Sequence, residues 1–333
     1  MVTQQDVADR AGVGRRTVSH VITGFPHVSV DARERVLQAI DELGYVPNRA
    51  AQQLRTGRSG VIALTVPEIG VGYFGELGTL IVEEAAARGL GTVVAQTRGA
   101  RERELTELER ILALQPDGVI MSPLGLTADD LAGISSRVPV ALIGEHFVGS
   151  PPAGALRPIA IDNAVAASEV VEHLVGLGRR RVAFLGMPGD GPRFNALRRG
   201  GARAGLARAG IAPVADVEVR DFTWEDGYRA GTEVAARVRA GDLDAVFCVT
   251  DEVAIGVMRA LHDAALSIPD DIAVAGFDDI PEGRYATPRL TTVAPDKAEI
   301  ARRAVAAVLG ESPVAGPVPH RLAPRESTCR SGG

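Results

Sequence analysis

The stretch Gln4–Thr23, QQDVADRAGVGRRTVSHVIT, divides into two short helical patterns. Val7, Ala8 and Ala11 share one face of the first, and Val18, Val21 and Ile22 share one face of the second. This is the spacing of amphipathic helices. Between them lies Ala11-Gly12-Val13-Gly14, a tight apolar turn. Two helices closed by a glycine-containing turn make a helix-turn-helix. On the second helix Arg15, Arg16, Ser19, His20 and Thr23 fall on the outer face. Two adjacent guanidiniums at its N-terminal end suit base edges in a major groove, because helices of this kind read with their first residues. The plainer alternative is an ordinary helical hairpin with a solvated basic face.

Outward from this pair, the composition is that of a globular protein. The 333 residues are 46% hydrophobic, enough chain for about two or three domains. The net charge of -6 gives no hint of nucleic acid, but its distribution does. Residues 1–60 carry +2 and the remaining 273 carry -8, so a small, mildly basic module precedes an acidic body. No signal peptide is expected, since the chain starts on a polar, capped helix pattern. No apolar run approaches the length of a membrane span. The two cysteines, Cys248 and Cys329, have no metal or disulfide spacing, which fits a reducing, cytoplasmic compartment.

A third helix follows, with Ser29 as N-cap, Val36, Ile40 and Leu43 as its apolar stripe with Leu37 beside them, and Gly44 as the stop. It should close a core of Val7, Val18, Ile22, Val36 and Ile40. Then comes Tyr45-Val46-Pro47-Asn48, and a short run of helix formers, Arg49–Arg55, bounded by Gly57. A helix so short is marginal alone, so the linker is a candidate for ordering on binding.

The run from Asp6 to Ile69 resembles the N-terminus of the lactose-repressor/galactose-repressor (LacI/GalR) family of bacterial transcription regulators. The resemblance rests on the helix pair, on the V-S-x-x-x-R-x-R-V helix at Val28–Val36, on the G-Y-x-P-N turn at Gly44–Asn48, and on the linker. It implies a hinge that folds on palindromic double-stranded operator DNA, with Leu54 wedged into the minor groove, an insertion that unstacks a base step and bends the duplex. The implied DNA-facing set is Arg15, Arg16, Thr17, Ser19, His20, Thr23, Asn48, Gln53 and Leu54. Three departures bear on the operator. Gly14 replaces a usual Ser, His20 stands where Arg is usual, and Thr23 where Asn is common.

From Val61 the pattern changes to apolar runs alternating with helical stretches. Val61–Val66, Gly91–Ala95, Gly118–Met121 and Val140–Gly144 read as strands of one doubly wound lobe. Arg181–Gly186, Val217–Phe222, Ala245–Val249 and Ile272–Gly276 read as strands of a second. Leu290–Val293 should cross between lobes, a helix near 296–309 should join the first, and Pro324–Thr328 should be a last strand. The predicted fold class is α/β, an all-α helix-turn-helix module on a two-lobed, periplasmic-binding-protein-like body. The expected domains are 1–46, a hinge at 47–60, and the body at 61–333. Its first lobe should take about 61–160 and 294–318, and its second about 161–293 and 319–333.

Open α/β sheets bind ligands at the C-terminal ends of their strands. With the family as guide, that rule selects Phe74, Arg198 of Arg198-x-x-Gly201, Phe222, Thr250 and Asp278 of Gly276-Phe277-Asp278-Asp279 as effector contacts. Arg193 and Phe147 are secondary candidates, and Asp162-Asn163 reads first as a helix cap. An Asp and an Arg flanked by aromatics suit a small polyhydroxylated ligand. No cofactor or metal is expected, and the absence of a leucine-heptad tail makes a homodimer the natural state.

Two other readings compete. Gly70-Val71-Gly72-Tyr73-Phe74-Gly75 is a literal G-x-G-x-x-G, but Pro67-Glu68-Ile69 separates it from its strand, and nothing nearby supplies dehydrogenase chemistry. A solute-binding protein of sugar transport would share the body and lack the helix-turn-helix.

Overall fold

The computed structural model describes residues 2–22, 25–45, 57–145, 158–189, 192–311 and 314–329. The chain divides into two compact units, Met1–Ser59 and Gly60–Gly333. In the first, α1 (Gln4–Ala11), α2 (Arg15–Ile22) and α3 (Val30–Leu43) form a three-helix module. Thr3 and Asp6 cap α1 reciprocally, each side chain bonding the other's backbone N–H, which satisfies two amide donors that a helix start otherwise leaves open. Gly12 and Gly44 end α1 and α3 in the left-handed conformation that side chains disfavour. The core holds Val7, Ala8, Ala11, Val18, Val21, Val36, Ala39 and Tyr45, with Ile22, Ile40 and Leu43 packed at its edge. Leu37 lies outside it, 53% exposed, because the buried face of α3 runs through Val36, Ala39 and Leu43.

The second unit is built on two sheets. β1 (Val61–Val66), β2 (Gly91–Gln96), β3 (Gly118–Met121) and β4 (Val140–Leu142) lie in the order β2-β1-β3-β4, all parallel. Helices α4 (Gly72–Ala87), α5 (Arg101–Leu112) and α6 (Ala128–Ser135) connect them. The second sheet starts from α7 (Asn163–Gly176). β5 (Val182–Gly186), α8 (Arg193–Arg208), β6 (Val217–Glu218), α9 (Trp224–Arg239), β7 (Ala245–Cys248), α10 (Asp251–Asp263) and β8 (Ala273–Phe277) repeat the same winding. Short α11 (Pro281–Tyr285) then leads into β9 (Thr291–Pro295). The strand order is β10-β9-β8-β7-β5-β6, in which only β10 (His320–Ala323) is antiparallel. Both sheets reverse order beside their first strand, which opens a crevice at the carboxyl ends. The central strands β3, β5, β7 and β8 are apolar runs buried along their whole length, as inner parallel strands require. After β9, α12 (Lys297–Val308) packs against α4, β3 and β4, and the chain returns to the second sheet as β10.

Two expected strands are corrected. The run 217–222 is a strand only at Val217–Glu218, because the Asp226 carboxylate takes the backbone N–H groups of Arg220 and Asp221 that a ladder would use. The last strand is His320–Ala323, not 324–328. Pro324 has no N–H to donate, and Arg325–Cys329 is instead a turn tied down through Ser327, whose hydroxyl donates to Val274 O at 2.6 Å.

Candidate functional site

The first unit presents Arg15 and Arg16 exposed at the start of α2. Neither guanidinium has an ion-pair partner among the described residues. Val18 and Val21 hold the opposite face of the helix in the core, so the outward direction of the arginines is fixed by packing. Thr17, Ser19 and His20 are half-buried. The His20 ring lies 4.5 Å from that of Phe25, which orients it toward the end of the helix. Of the expected DNA contacts, Thr23, Asn48, Gln53 and Leu54 fall outside the described residues.

In the second unit a cavity of about 280 Å³ lies at the carboxyl ends of both sheets. Arg198 is its centre. From α8 this buried guanidinium donates to Asn163 Oδ1 at 2.9 Å and to Val249 O at 2.6 Å, and it pairs with Asp278 Oδ1 at 3.4 Å. It lies over the Phe277 ring at 3.4 Å and near Phe194 at 4.9 Å. The planar fork is therefore held on its edges and on its face, which leaves it little rotational freedom.

Asp278 follows β8 at φ 118° and Asp279 at φ 51°, strained for a residue with a side chain. Surrounding bonds fix both. Asp278 N–H donates to Val293 O at 2.9 Å, and Asp279 accepts from Arg325 and Arg284. Gly276 ahead of them leaves room for Asp251, since a Cβ there would overlap that carboxylate. Asp251 accepts from Thr292 Oγ1 at 2.7 Å and from Ile280 N at 3.0 Å. The Gly-Phe-Asp-Asp motif is thus a backbone kink clamped on both sides, which aims Asp278 inward.

Acids cluster in the cavity wall and just behind it. Burial, with the charge of Asp278 added, pushes Asp251 up to about 7 and Glu252 up to about 8. Burial also pushes Asp278 up to about 6, against the pull of Arg198 and Lys297. For Asp279 burial acts the same way, but Arg325 and Arg284 prevail and hold it below the usual carboxylate range. Glu252, second residue of α10, accepts the Gly72 N–H at 3.1 Å. A carboxyl therefore already occupies the start of α4, where the literal G-x-G-x-x-G would need a pyrophosphate, and the dinucleotide reading fails there.

Of the expected effector contacts, Phe74, Arg198, Phe222, Thr250 and Asp278 all line this one cavity. Arg193 does not: it is exposed at the first position of α8. Five residues from Arg198 is most of a turn and a half, which turns it away, whereas Phe194, four residues before Arg198, faces in. Phe147 lies outside the described residues. Thr250 also caps α10, accepting from Val253 N at 3.4 Å. Sequence reasoning missed Phe194, Glu145 and Glu252 as lining residues, and gave Asn163 mainly a capping role. The cap is Asp162, and Asn163 instead bridges Arg198 and Glu145.

Comparison with known proteins bears on both units. The family described as "Bacterial regulatory proteins, lacI family" matches residues 3–48, and a periplasmic binding protein-like domain matches residues 171–328. The HTH-type transcriptional regulator CelR of Thermobifida fusca is 35% identical over 302 residues, 87% of this chain and 86% of CelR. The chain belongs to the LacI family. This LacI-family protein is a DNA-binding transcription regulator, and its relatives are named as regulators rather than enzymes. A crystal structure of the lac repressor dimer bound to operator and the anti-inducer ONPF superimposes with a TM-score of 0.83 at 29% identity, over 98% of this chain and 99% of that one. A CelR–cellobiose complex gives 0.69 at 30% identity, over 98% and 100%. Among the described residues of this regulator no helix is long and apolar enough to cross a membrane.

Proposed function

We propose that this regulator is a cytoplasmic, homodimeric repressor whose operator affinity is set by a small sugar-like effector in the Arg198–Asp278 cavity. The observation that carries the effector reading is the buried Arg198, held by three partners, facing a carboxylate on a strained, clamped turn, with Phe74 and Phe222 beside them. A fixed donor fork, an acceptor and aromatic faces are what a polyol offers surfaces to. The operator structure of the lac repressor and the cellobiose complex of CelR support the reading. In it, two modules read the half-sites of a palindrome with Arg15, Arg16 and their neighbours. Leu54 acts in the minor groove, and the effector binds one closure of the cavity better than another, which couples the two sites.

Selection of the full chain on random duplexes should return a palindrome, and a saccharide panel should contain compounds that both raise the melting temperature and change operator affinity. A saccharide that binds the cavity yet leaves operator affinity unchanged at saturation contradicts the switch. For the reading helix, Arg16→Ala is expected to relax sequence choice by about 1–3 kcal/mol at one base pair per half-site. Equal weakening on every sequence would reduce Arg16 to a phosphate contact.

A further inference from the structure

The charges lining the cavity do not balance. Arg98 pairs with Glu68 at 2.9 Å and Arg198 with Asp278 at 3.4 Å. Three more carboxyl groups, Glu145, Asp221 and Glu252, line the same cavity, and none has a Lys or Arg within ion-pair distance among the described residues. Asp221 is exposed, and among the described residues Glu145 accepts the Asn163 amide at 3.3 Å. Glu252 is the most deeply placed of the three, 5% exposed, with the Gly72 N–H as its neutral donor. A buried carboxylate without a counter-ion is costly. Burial therefore makes Glu252 hold a proton, and neutral hydroxyls supply no counter-charge that would let it ionise. An anionic ligand, such as a sugar acid or a sugar phosphate, would meet further like charge.

We propose that the effector is cationic, a sugar-like polyol carrying a protonated amine, with the ammonium seated at Glu252 and the hydroxyls at Arg198 and Asp278. This rests on the reading of the cavity as the effector site. Two groups divide the work. Arg198 is already neutralised by Asp278 and offers directional donors. Glu252 offers an acceptor and has no Lys or Arg within ion-pair distance among the described residues. When the ammonium enters, Glu252 releases to solvent the proton that burial makes it hold, and the site becomes ion-paired. Phe74, whose ring meets that of Tyr73 edge to face at 5.2 Å, lines the same cavity and provides π surface that tolerates an ammonium, while Lys297 Nζ already lies 5.6 Å from the Tyr73 ring.

The test uses the full chain at neutral pH with three probes that differ at one kind of substituent: cellobiose, its 2-amino-2-deoxy counterpart, and the N-acetylated form of that amine. Calorimetry should rank the free amine at least about tenfold tighter than the other two. Glu252→Gln keeps an oxygen for the Gly72 N–H and removes only the charge. It should erase the preference for the amine, bringing the amine and cellobiose affinities within about twofold of each other, a gap under about 0.5 kcal/mol. Equal or tighter binding of the neutral sugars overturns the cationic assignment and leaves the effector reading standing. Failure of all three probes to bind overturns the cationic assignment, and the effector reading falls with it when no saccharide of the panel binds either. Should E252Q not fold, the wild-type ranking decides alone.

Discussion

Arg198→Ala is expected to abolish effector binding and to lower the stability of the Gly60–Gly333 unit by about 3–5 kcal/mol, the cost of stranding one partner of a buried ion pair. For a unit of this size that is a fall in melting temperature on the order of 10 °C. Three separate losses combine. Asp278 keeps a buried charge with its near cation gone, the Val249 carbonyl and Asn163 amide lose their donor, and the Phe277 ring loses the plane packed on it. The stranded charge can be told from the lost packing. In an Arg198→Ala background, Asp278→Asn should recover part of the stability by removing the orphan carboxylate, although Asp278→Asn alone should destabilise. Thermal melts of the four proteins close that cycle. A single mutant Arg198→Ala that melts within a degree or two of the parent would mean that water reaches Asp278 freely, and that the guanidinium is not the anchor of the cavity.

How much of this site was legible in the sequence follows from the distance over which each residue is determined. Gly276-Phe277-Asp278-Asp279 is a local device: the glycine, the kink and the aimed acid lie within four residues, and the run is recognisable on sight. The placement of Arg198 and Phe222 at the cavity follows from strand ends and a family pattern. Glu252 could not be found in this way. It reads as an ordinary acidic residue in the first turn of a helix, favourable there against the helix dipole. Its partner in the folded chain is the Gly72 N–H, 180 positions away in sequence, so nothing in the local run marks it as a buried acid. Asn163 is similar, since its partner Arg198 is 35 residues on. Arg193 fails for the opposite reason. The residue type suits a polyol, and only the phase of α8 excludes it. The strand expected at 217–222 fails because one side chain, Asp226, outcompetes the ladder for two amides. In the described helices of the helix-turn-helix module the determinants are mostly short-range, and Leu37, read beside the apolar stripe of α3, is exposed instead.

The adjacent glycines Gly200 and Gly201 should respond to the same substitution with opposite sign, which converts the Arg198-x-x-Gly201 pattern into a packing statement. Both lie inside α8. A Cβ added at Gly200 meets nothing within 4 Å, whereas one at Gly201 would overlap the Ala164 carbonyl oxygen and crowd the backbone of α7. Gly200→Ala is therefore expected to stabilise by about 0.5–1 kcal/mol, through helix propensity and a less flexible unfolded chain. Gly201→Ala must push α7 and α8 apart, and overpacking of this kind costs about 1–3 kcal/mol or more. The effect reaches the cavity because Asn163 begins α7 and Arg198 stands on α8. Three residues separate Arg198 from Gly201, close to one helical turn, so both project on the same side. The glycine lets the backbones approach, and the approach sets the 2.9 Å bond from Arg198 to Asn163. Gly201→Ala should accordingly weaken effector binding as well as melt earlier, while Gly200→Ala leaves binding unchanged. Chemical denaturation of the pair, with ligand titration of each, measures both effects. Equal stability of the two variants would show that α7 and α8 tolerate separation and that Gly201 is not what positions Arg198.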